Sequence, residues 1–320
     1  MPLIRYPNPL VVLVGPTGVG KTELSIQLAQ HLDGEIVSAD SRLFYRGMDI
    51  GTAKPSIAER QIVSHYLIDV AEPDEVWSLV LFQKAARQAI LDIQSRGRLP
   101  FLVGGTGQYI RAVAEGWQAP MQEPDYQMRR VLEKWATEIG RYELHKRLGL
   151  LDPNAAVSID PHNLRRTIRA LEVIFCTGRR FSDQRQKSTS PYSLLVVGLI
   201  RPRADLYVRI DDRIDGMLKA GFADEVRNLL DKGYSPQLPT LSAIGYREMI
   251  SYIKGEMTLE EAVIQMKRMT RQFVRRQANW FKINDPHIHW FVSNENTTAE
   301  IEALIQSQQG WILTEEFIER

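Results

Sequence analysis

The sequence predicts an α/β protein with a parallel sheet, a phosphate-binding loop and a helical insertion. Three observations predict this architecture. The stretch Gly15–Thr22 fits the phosphate-cradling pattern G-x-x-x-x-G-K-[ST] and lies between an apolar run and a helical one. Short apolar runs of the same kind recur later in the chain, as buried parallel strands do. Between residues 119 and 191 this alternation stops, and only helical periods remain.

Length and composition limit the class of protein. The chain has 320 residues, so a large core with an embedded or appended second unit is expected. With 40 Lys and Arg against 39 Asp and Glu, the net charge is +1, which argues against a protein that is basic throughout. Cys176 is the single cysteine, so neither a disulfide framework nor a metal–thiolate cluster is expected. No apolar run approaches the length of a membrane span, and we expect a cytoplasmic protein.

The glycine-rich loop predicts a bound phosphate group. The run Leu10–Val14 is typical of a buried strand, and leucines repeat at helical spacing after the loop. Glycines let several backbone N–H groups point at one anion, and the helix start adds the positive end of its dipole. Lys21 can reach the outer phosphates, and Thr22 can hold Mg²⁺. The residues predicted to bind the phosphate groups are Gly15, Pro16, Thr17, Gly18, Val19, Gly20, Lys21 and Thr22.

A second strand delivers a carboxylate beside this loop. Glu35–Ala39 is a β-rich run, and Asp40 follows it directly. Parallel sheets bind ligands outside the carboxyl ends of their strands, so Asp40 is well placed for chemistry. The alternative interpretation is a helix N-cap or an ordinary loop carboxylate. The next segment, Arg46–Pro55, is expected to be an ordered loop over the site.

Further elements lead to a second glycine-rich turn. His65–Val70 is interpreted as a short strand and residues 78–96 as an amphipathic helix. Leu99–Val103 is a buried strand, and the turn Gly104–Gly107 follows it. Small residues there would let backbone and the Thr106 hydroxyl approach the ligand of the neighbouring loop. A tight strand-to-helix turn without a ligand fits the pattern equally well.

Residues 119–191 form a basic helical insertion. The segment holds 13 Lys or Arg and 9 Asp or Glu, a net charge of 13 − 9 = +4 in a nearly neutral chain. Arg165, Arg166 and Arg169 cluster at helical spacing, which favours an anion contact over a solvated helix face. Helical periods run over Tyr126–Ile139, Tyr142–Leu148 and Asn163–Phe175.

The sheet pattern returns after the insertion. Because Leu194–Ile200 is again a buried strand, we divide the chain into a catalytic core, residues 1–118 and 192–320, and an inserted helical domain, residues 119–191. The helix that follows presents Arg209 and Arg213 away from its apolar side. A last strand near residue 290 and a final helix complete a P-loop, nucleotide-kinase-like core.

The helix predicted over residues 263–282 carries an apolar and a basic side. The apolar side follows helical spacing and is expected to lie in the core. It contains Val263, Met266, Phe273, Gln277, Trp280 and Phe281. The basic side contains Arg268, Arg271 and Arg275. No acidic residue interrupts this segment, so a phosphate-backbone contact fits the basic side at least as well as a solvated face does.

These motifs together resemble the tRNA dimethylallyltransferases in order and spacing. The resemblance covers nearly the whole chain, from Gly15 to about Phe281, and rests on several independent motifs. The matching stretches are Gly15–Thr22, Ala39–Ser41, Tyr45–Pro55, Val103–Gly107, Asp152–Pro153, Arg165–Arg166 with Ile168–Val173, Ile244–Tyr246, and Thr270–Gln272 with Arg275–Gln277.

The resemblance implies prenyl transfer. Members of this family move a dimethylallyl group from dimethylallyl diphosphate to N6 of the adenosine 3′-adjacent to the anticodon in tRNA and release diphosphate. The loop would then hold a diphosphate leaving group, with Mg²⁺ on Thr22, rather than a nucleoside triphosphate. The resemblance assigns catalysis to Asp40, Thr106, Lys21 and Arg213, with Asp40 as the base that takes the N6 proton.

The resemblance also implies the partners, which are the tRNA anticodon stem-loop and dimethylallyl diphosphate. We expect a monomer with no membrane partner. Two positions depart from the family pattern, since Leu43 stands where glutamine is common and Gln108 where leucine or methionine is usual. The residues implied to contact tRNA are Asp40, Ser41, Arg42, Leu43, Thr106, Arg129, Arg165, Arg166, Thr167, Ile168, Arg169, Ser242, Ala243, Ile244, Gly245, Tyr246 and Arg247.

Three alternative functions stay open at this point. A prenyltransferase acting on free adenine nucleotides would share the loop but would not need the insertion. A small-molecule kinase would share the loop and sheet but leaves the tRNA-type motifs unexplained. A non-catalytic RNA-binding protein would not need Asp40 and Thr106.

Overall fold

The computed structural model describes residues 6–117, 124–184, 190–307 and 309–312. The chain divides into two compact units, one made of residues 1–114 and 189–320 and the other of residues 115–188. The boundary predicted at residue 118 lies outside the described residues.

A six-stranded sheet forms the centre of the larger unit. In sheet order the strands are β3 (His65–Tyr66), β2 (Gly34–Ser38), β4 (Leu99–Val103), β1 (Pro9–Val14), β5 (Ser193–Ile200) and β6 (Ile288–Val292). All neighbouring strands are parallel. Every residue of β2 and β4 is buried, as in a parallel sheet that is covered on both faces. The predicted α/β class is therefore confirmed.

Nine of the described helices belong to this larger unit. They contribute apolar side chains such as Leu28, Phe82 and Ile210 to one core that surrounds the sheet. The helices are α1 (Lys21–His31), α2 (Ile57–Ile62), α3 (Leu79–Ser95), α4 (Gly107–Ala114), α9 (Arg203–Lys219), α10 (Phe222–Asp231), α11 (Tyr246–Ile253), α12 (Leu259–Gln277) and α13 (Thr297–Ser307).

Two predicted elements end earlier than expected. The strand predicted over His65–Val70 stops at Tyr66, because Leu67 and Asp69 adopt left-handed backbone angles, with φ of 62° and 56°. The helix predicted over residues 263–282 spans Leu259–Gln277 instead, so Trp280 lies beyond its end.

The smaller unit is helical and has its own hydrophobic core, which includes Leu144, Leu148 and Leu171. Its helices are α5 (Tyr126–Ile139), α6 (Arg141–Leu151), α7 (Pro153–Ser158) and α8 (Leu164–Thr177). The buried Asp152 caps α7 through the Ala155 amide and also accepts hydrogen bonds from Ser182. This dual role explains the Asp152–Pro153 motif, since proline is tolerated in the first turn of a helix.

Within the described residues, no helix combines the length and the apolar character needed to cross a membrane.

Candidate active site

The register of three neighbouring strands brings the predicted catalytic segments to one edge of the sheet. Ser38 of β2 pairs with Val103 of β4, which in turn pairs with Leu13 of β1. All three strands therefore end at the same edge of the sheet. Strand β2 leads to Asp40, β4 leads to the glycine turn 104–107 and β1 leads to the phosphate loop 15–22. Carboxyl ends of neighbouring parallel strands are where α/β sheets bind ligands.

The phosphate loop depends on glycine at its turning points. Gly15, Gly18 and Gly20 have φ of 150°, 86° and 111°, values that side chains with a Cβ rarely adopt. A Cβ on Gly15 would also lie 2.7 Å from the Leu199 carbonyl oxygen. Helix α1 follows Gly20 without a side-chain cap, so its first backbone N–H groups are available to an anion.

Lys21 is held against the loop by two carbonyl groups. Its Nζ donates hydrogen bonds to the oxygens of Gly15 and Pro16, both at 2.9 Å. Burial lowers the pKa of Lys21 to about 8, although the charge of Asp40 opposes this shift and Arg213 adds to it. The lowered pKa means that the protein alone stabilises the Lys21 ammonium charge only in part. A bound anion would stabilise it further, as expected at a phosphate-binding site.

Helix α9 adds arginines to the same region. Arg209 donates from Nε to the Gly18 carbonyl oxygen at 3.1 Å. Partial burial lowers the pKa of Arg213, while Asp40 raises it and Arg209 lowers it further. Arginine stays charged despite such a shift. The predicted members Lys21, Asp40 and Arg213 thus lie close enough to influence one another electrostatically.

Asp40 lies in a tight turn directly after β2. Its Oδ1 accepts a hydrogen bond from the Arg42 amide at 3.0 Å, and its carbonyl accepts one from Leu43 at 3.1 Å. This local pairing is an Asx-type turn rather than a helix N-cap. It fixes one carboxylate oxygen and leaves the other for a proton-transfer partner, which suits a general base.

The turn Gly104–Gly107 is shaped by close neighbours. A Cβ on Gly104 would lie 2.5 Å from the Ala39 carbonyl oxygen, and one on Gly107 would lie 2.3 Å from Trp280. Thr106 follows in this turn, and its carbonyl accepts bonds from Tyr109 and Ile110 at the start of α4. Glycine is therefore required for packing, and Thr106 is fixed at the edge where the three strands end.

An aromatic cluster lies beside Asp40 and was not predicted. Tyr109 packs edge-on against Phe44 and Phe82, with ring centroids 5.9 and 4.6 Å apart. Burial raises the pKa of Tyr109 to about 12, with nearby Asp40 adding a smaller upward effect. Phe44 and Phe82 are fully buried, so the cluster belongs to the core, and the partly buried Tyr109 is the member that lies near the carboxylate.

Gln277 joins the two glycine-rich segments. Its Oε1 accepts a hydrogen bond from the Thr17 amide at 2.9 Å, and its Nε2 donates to the Gly105 carbonyl oxygen at 3.2 Å. The apolar helix side had placed this residue in the core, and it is indeed buried. Its contacts with both loops could not be read from a pattern within one helix.

The residues of the phosphate loop fit a magnesium ion that is held mainly by a substrate. Thr22 lies in the first turn of α1 and offers a hydroxyl oxygen there. Among the described residues, no group of three His, Cys, Asp or Glu side chains could form a metal site. Mg²⁺ usually keeps several waters and binds substrate phosphates with one or two protein oxygens, so a single hydroxyl suits it.

The loop Arg46–Pro55 is anchored by Glu225 of α10. The carboxylate accepts hydrogen bonds from the amides of Asp49, Ile50 and Gly51 at 2.9, 2.6 and 3.1 Å. The Tyr246 hydroxyl donates to the same carboxylate at 2.6 Å. One side chain therefore orders this loop and attaches it to the start of α11.

The predicted tRNA-contacting residues of the larger unit differ in exposure. Arg42, Ser242 and Arg247 are exposed, whereas Ser41, Leu43 and Ile244 are partly buried and Ala243 and Gly245 are buried. The Tyr246 side chain is fully buried between the core and Glu225. Tyr246 therefore supports the segment from within, and its ring does not face a ligand at the surface.

The predicted tRNA-contacting residues of the smaller unit also divide into exposed and buried ones. Arg165 and Arg166 are exposed at the start of α8, while Thr167 and Ile168 are buried. Buried Glu172 accepts bonds from Arg129 at 2.8 Å and lies 3.0 Å from Arg169. These two arginines thus compensate a buried charge inside the unit, a role that their spacing alone did not indicate.

The basic side of α12 is not free of carboxylates, contrary to the expectation from its own sequence. Arg271 pairs with Asp211 at 2.5 Å, and Lys267 pairs with Asp215 at 2.8 Å, both on α9. The Arg275 Nε donates to the Tyr207 hydroxyl at 3.1 Å. Arg271 is therefore paired with a carboxylate of another helix, and a phosphate-backbone contact through this side stays a prediction.

Comparison with protein families gives matches over most of the chain. A family described as "IPP transferase" matches residues 43–284, and one described as "Isopentenyl transferase" matches residues 8–72. The tRNA dimethylallyltransferase of Roseiflexus sp. (strain RS-1) is 53% identical over 274 residues, which cover 86% of this chain and 90% of the relative. That of Herpetosiphon aurantiacus is 45% identical over 303 residues, covering 94% and 96%.

Solved structures agree with these sequence relatives. The full-length tRNA isopentenylpyrophosphate transferase of Bacillus halodurans aligns with a TM-score of 0.70 and 42% identity, covering 94% of this chain and 96% of that one. A eukaryotic dimethylallyltransferase, described as acting on tRNA, aligns with a TM-score of 0.77 and 27% identity, covering 92% and 77%.

Proposed function

Because the chain belongs to the IPP transferase family of prenyltransferases, we propose that it transfers the dimethylallyl group of dimethylallyl diphosphate to N6 of the adenosine 3′-adjacent to the anticodon in tRNA. The bond between C1 of the prenyl group and the diphosphate oxygen breaks, and a bond between C1 and N6 forms. The observation that carries this proposal is the strand register Ser38–Val103–Leu13, which supports one site containing Asp40, the Thr106 turn and the phosphate loop.

The phosphate loop stabilises the leaving group. Negative charge grows on the diphosphate as the C1–oxygen bond breaks, and the first amides of α1 and the Lys21 ammonium lie where they can bind it. Arg213 adds a second positive charge from α9. The helix dipole acts in the same direction. Magnesium held by Thr22 would neutralise part of the diphosphate charge.

The acceptor amine needs a base. The N6 lone pair is delocalised into the adenine ring, so the amine becomes an effective nucleophile only as it loses a proton. Asp40 takes this proton through the carboxylate oxygen that the Arg42 amide does not occupy. Thr106, in the neighbouring turn, contacts the base or the bridging oxygen.

Binding of tRNA uses exposed basic residues in both compact units. A base in a tRNA loop is stacked, so it must be extruded before it can enter such a site, at a cost of a few kcal/mol. Phosphate contacts by Arg165, Arg166 and Arg42 offset this cost, whereas Arg247 pairs with buried Glu248. We place the reaction in the cytoplasm, where tRNA is processed, and a monomeric state stays a prediction.

A transfer assay tests the proposal. Purified protein is incubated with labelled dimethylallyl diphosphate, Mg²⁺ and unmodified tRNA that carries the target adenosine. We expect label in the tRNA and release of diphosphate. Transfer to AMP in preference to tRNA in a competition would indicate the free-nucleotide enzyme instead. Absence of transfer, combined with phosphoryl transfer from ATP to a small molecule, would indicate a kinase.

A further inference from the structure

The side chain of Gln277 connects two loops that serve different substrates. It is 6% exposed, at the last position of α12. On the proposed function, the Thr17 amide belongs to the loop for the leaving group and Gly105 precedes the Thr106 turn for the acceptor base. Gln277 hydrogen-bonds to both, across 260 and 172 residues of sequence. It is therefore a direct link between the two halves of the reaction.

The chemistry of this link requires an amide. The Thr17 N–H needs an acceptor and the Gly105 carbonyl needs a donor, and the glutamine side chain offers one of each. A carboxylate would set a second acceptor against the Gly105 oxygen. An aliphatic side chain of similar size would fill the space but would leave both backbone groups without a partner.

The glycine turn is built to admit this side chain. A Cβ on Gly105 would lie 2.4 Å from the Gln277 Nε2, closer than non-bonded atoms approach. The next glycine, Gly107, makes room for Trp280 in the same way. The turn therefore approaches the end of α12 closely at two points, at Gly105 against Gln277 and at Gly107 against Trp280.

We infer that Gln277 is a positioning residue that sets the distance between the diphosphate loop and the Thr106 turn. The inference rests on the proposed function, in which C1 must meet N6 on the side opposite the departing oxygen. Reacting atoms need to lie about 3–3.5 Å apart, and a misplacement of about 1 Å can cost about 100-fold in rate. Gln277 is uncharged, so it acts through this geometry and not through the charge of the site.

The first test measures catalysis. Gln277→Leu should lower kcat for tRNA prenylation about 10- to 100-fold, with the KM for each substrate within threefold of wild type. Gln265→Leu, at an exposed position of the same helix, is the matched control and should behave like wild type. A double-mutant cycle with Thr106→Val should be strongly non-additive. Two outcomes would overturn the inference. One is a double variant whose loss of kcat equals the product of the two single losses, and the other is a Gln277→Leu enzyme with a kcat within twofold of wild type.

A conservative variant separates positioning from simple packing. Gln277→Glu can supply a donor and an acceptor only when its carboxyl is protonated. Its activity relative to wild type should therefore rise as the pH falls, whereas Gln277→Leu relative to wild type should not change with pH. A flat ratio for the Glu variant would contradict the amide-specific role.

A binding measurement tests the link without any prenyl transfer. In wild-type protein, saturating inorganic diphosphate with Mg²⁺ should slow hydrogen exchange in the peptide that contains residues 104–107 as well as in the loop 15–22. In Gln277→Leu only the loop should respond. Equal responses in both proteins would overturn the inference. A wild-type enzyme that fails to prenylate tRNA would instead refute the proposed function, and the exchange result would still decide the role of Gln277.

Discussion

Raising the pH through 8 should weaken binding of dimethylallyl diphosphate, because Lys21 loses its charge in that range. Burial lowers the pKa of Lys21 to about 8. A lysine with a lowered pKa is charged below that pH and neutral above it, so the free protein presents the ammonium at pH 7 but largely loses it by pH 9. The bound anion favours the charged form and should raise the Lys21 pKa again.

The size of the effect follows from the pKa of about 8. Roughly 90% of the free protein carries the charge at pH 7 and roughly 10% at pH 9, so the Kd should rise about tenfold, or about 1.4 kcal/mol. Binding at pH 8 should take up about half a proton per ligand. The ligand does not add its own titration above about pH 7.5, since the second pKa of a phosphate group is about 6.

Isothermal titration calorimetry without tRNA measures both quantities. Titrations at pH 7, 8 and 9 in two buffers of different ionisation enthalpy give the Kd and the number of protons taken up. Lys21→Arg is the control, because arginine stays charged throughout this range and its Kd should be independent of pH. A wild-type Kd that changes less than twofold between pH 7 and 9, with no proton uptake, would contradict a role for the Lys21 charge in binding the diphosphate.

Three further variants separate chemistry, tRNA binding and stability. Asp40→Asn should lower the single-turnover rate about 10²- to 10⁴-fold while tRNA affinity stays within threefold, and equal losses in both would contradict its assignment as the base. Replacing Arg165 and Arg166 with Gln should weaken tRNA binding and reduce the slope of log K against log salt by about 2. Arg271→Gln should leave that slope unchanged, because its guanidinium is paired within the protein, and a similar slope change in both proteins would argue against a specific role for the first pair. Glu225→Gln should lower the free energy of unfolding by about 2 kcal/mol in urea titrations, since it accepts bonds from three loop amides and Tyr246, and an unchanged midpoint would refute this anchoring role.

The sheet and the phosphate loop were predictable because their signals are local. Buried parallel strands are continuous apolar runs, as in β1 and β4, and the loop pattern combines a strand, glycines and a helix within a short stretch. The family resemblance added the candidate residues of the site, and the register of β2, β4 and β1 explains why these segments, distant in sequence, meet at one edge of the sheet.

The features that sequence reasoning missed depend on contacts between distant segments. The carboxylate that pairs with Arg271 lies on α9, so the absence of acidic residues from 263 to 282 said little about the surroundings of Arg271. Tyr246 lies in a motif of the family, but its burial depends on Glu225 and the core, which no local pattern reveals. The shortening of β3 has a different, local cause, since Leu67 and Asp69 adopt left-handed backbone angles in a stretch whose composition favours a strand.

Gln277 shows most clearly what a sequence pattern within one helix cannot reveal. Its place on the apolar side of a helix correctly predicted burial, but an amide in that position has two hydrogen-bonding groups to satisfy. The glycines at positions 105 and 107 carry a matching signal, because they leave space for the end of α12. The glycine turn 104–107 and the end of α12 are far apart in sequence but form one contact, which becomes visible only in the folded structure.

The position of the transferred group on the tRNA tests the proposed prenyl transfer most sharply. After a single turnover with dimethylallyl diphosphate, Mg²⁺ and an unmodified tRNA, nuclease fragments are analysed by mass spectrometry. The proposed function predicts one added dimethylallyl group on N6 of the adenosine 3′-adjacent to the anticodon, with one diphosphate released per tRNA. Modification at another nucleotide, or release of diphosphate without an alkylated adenosine, would contradict it.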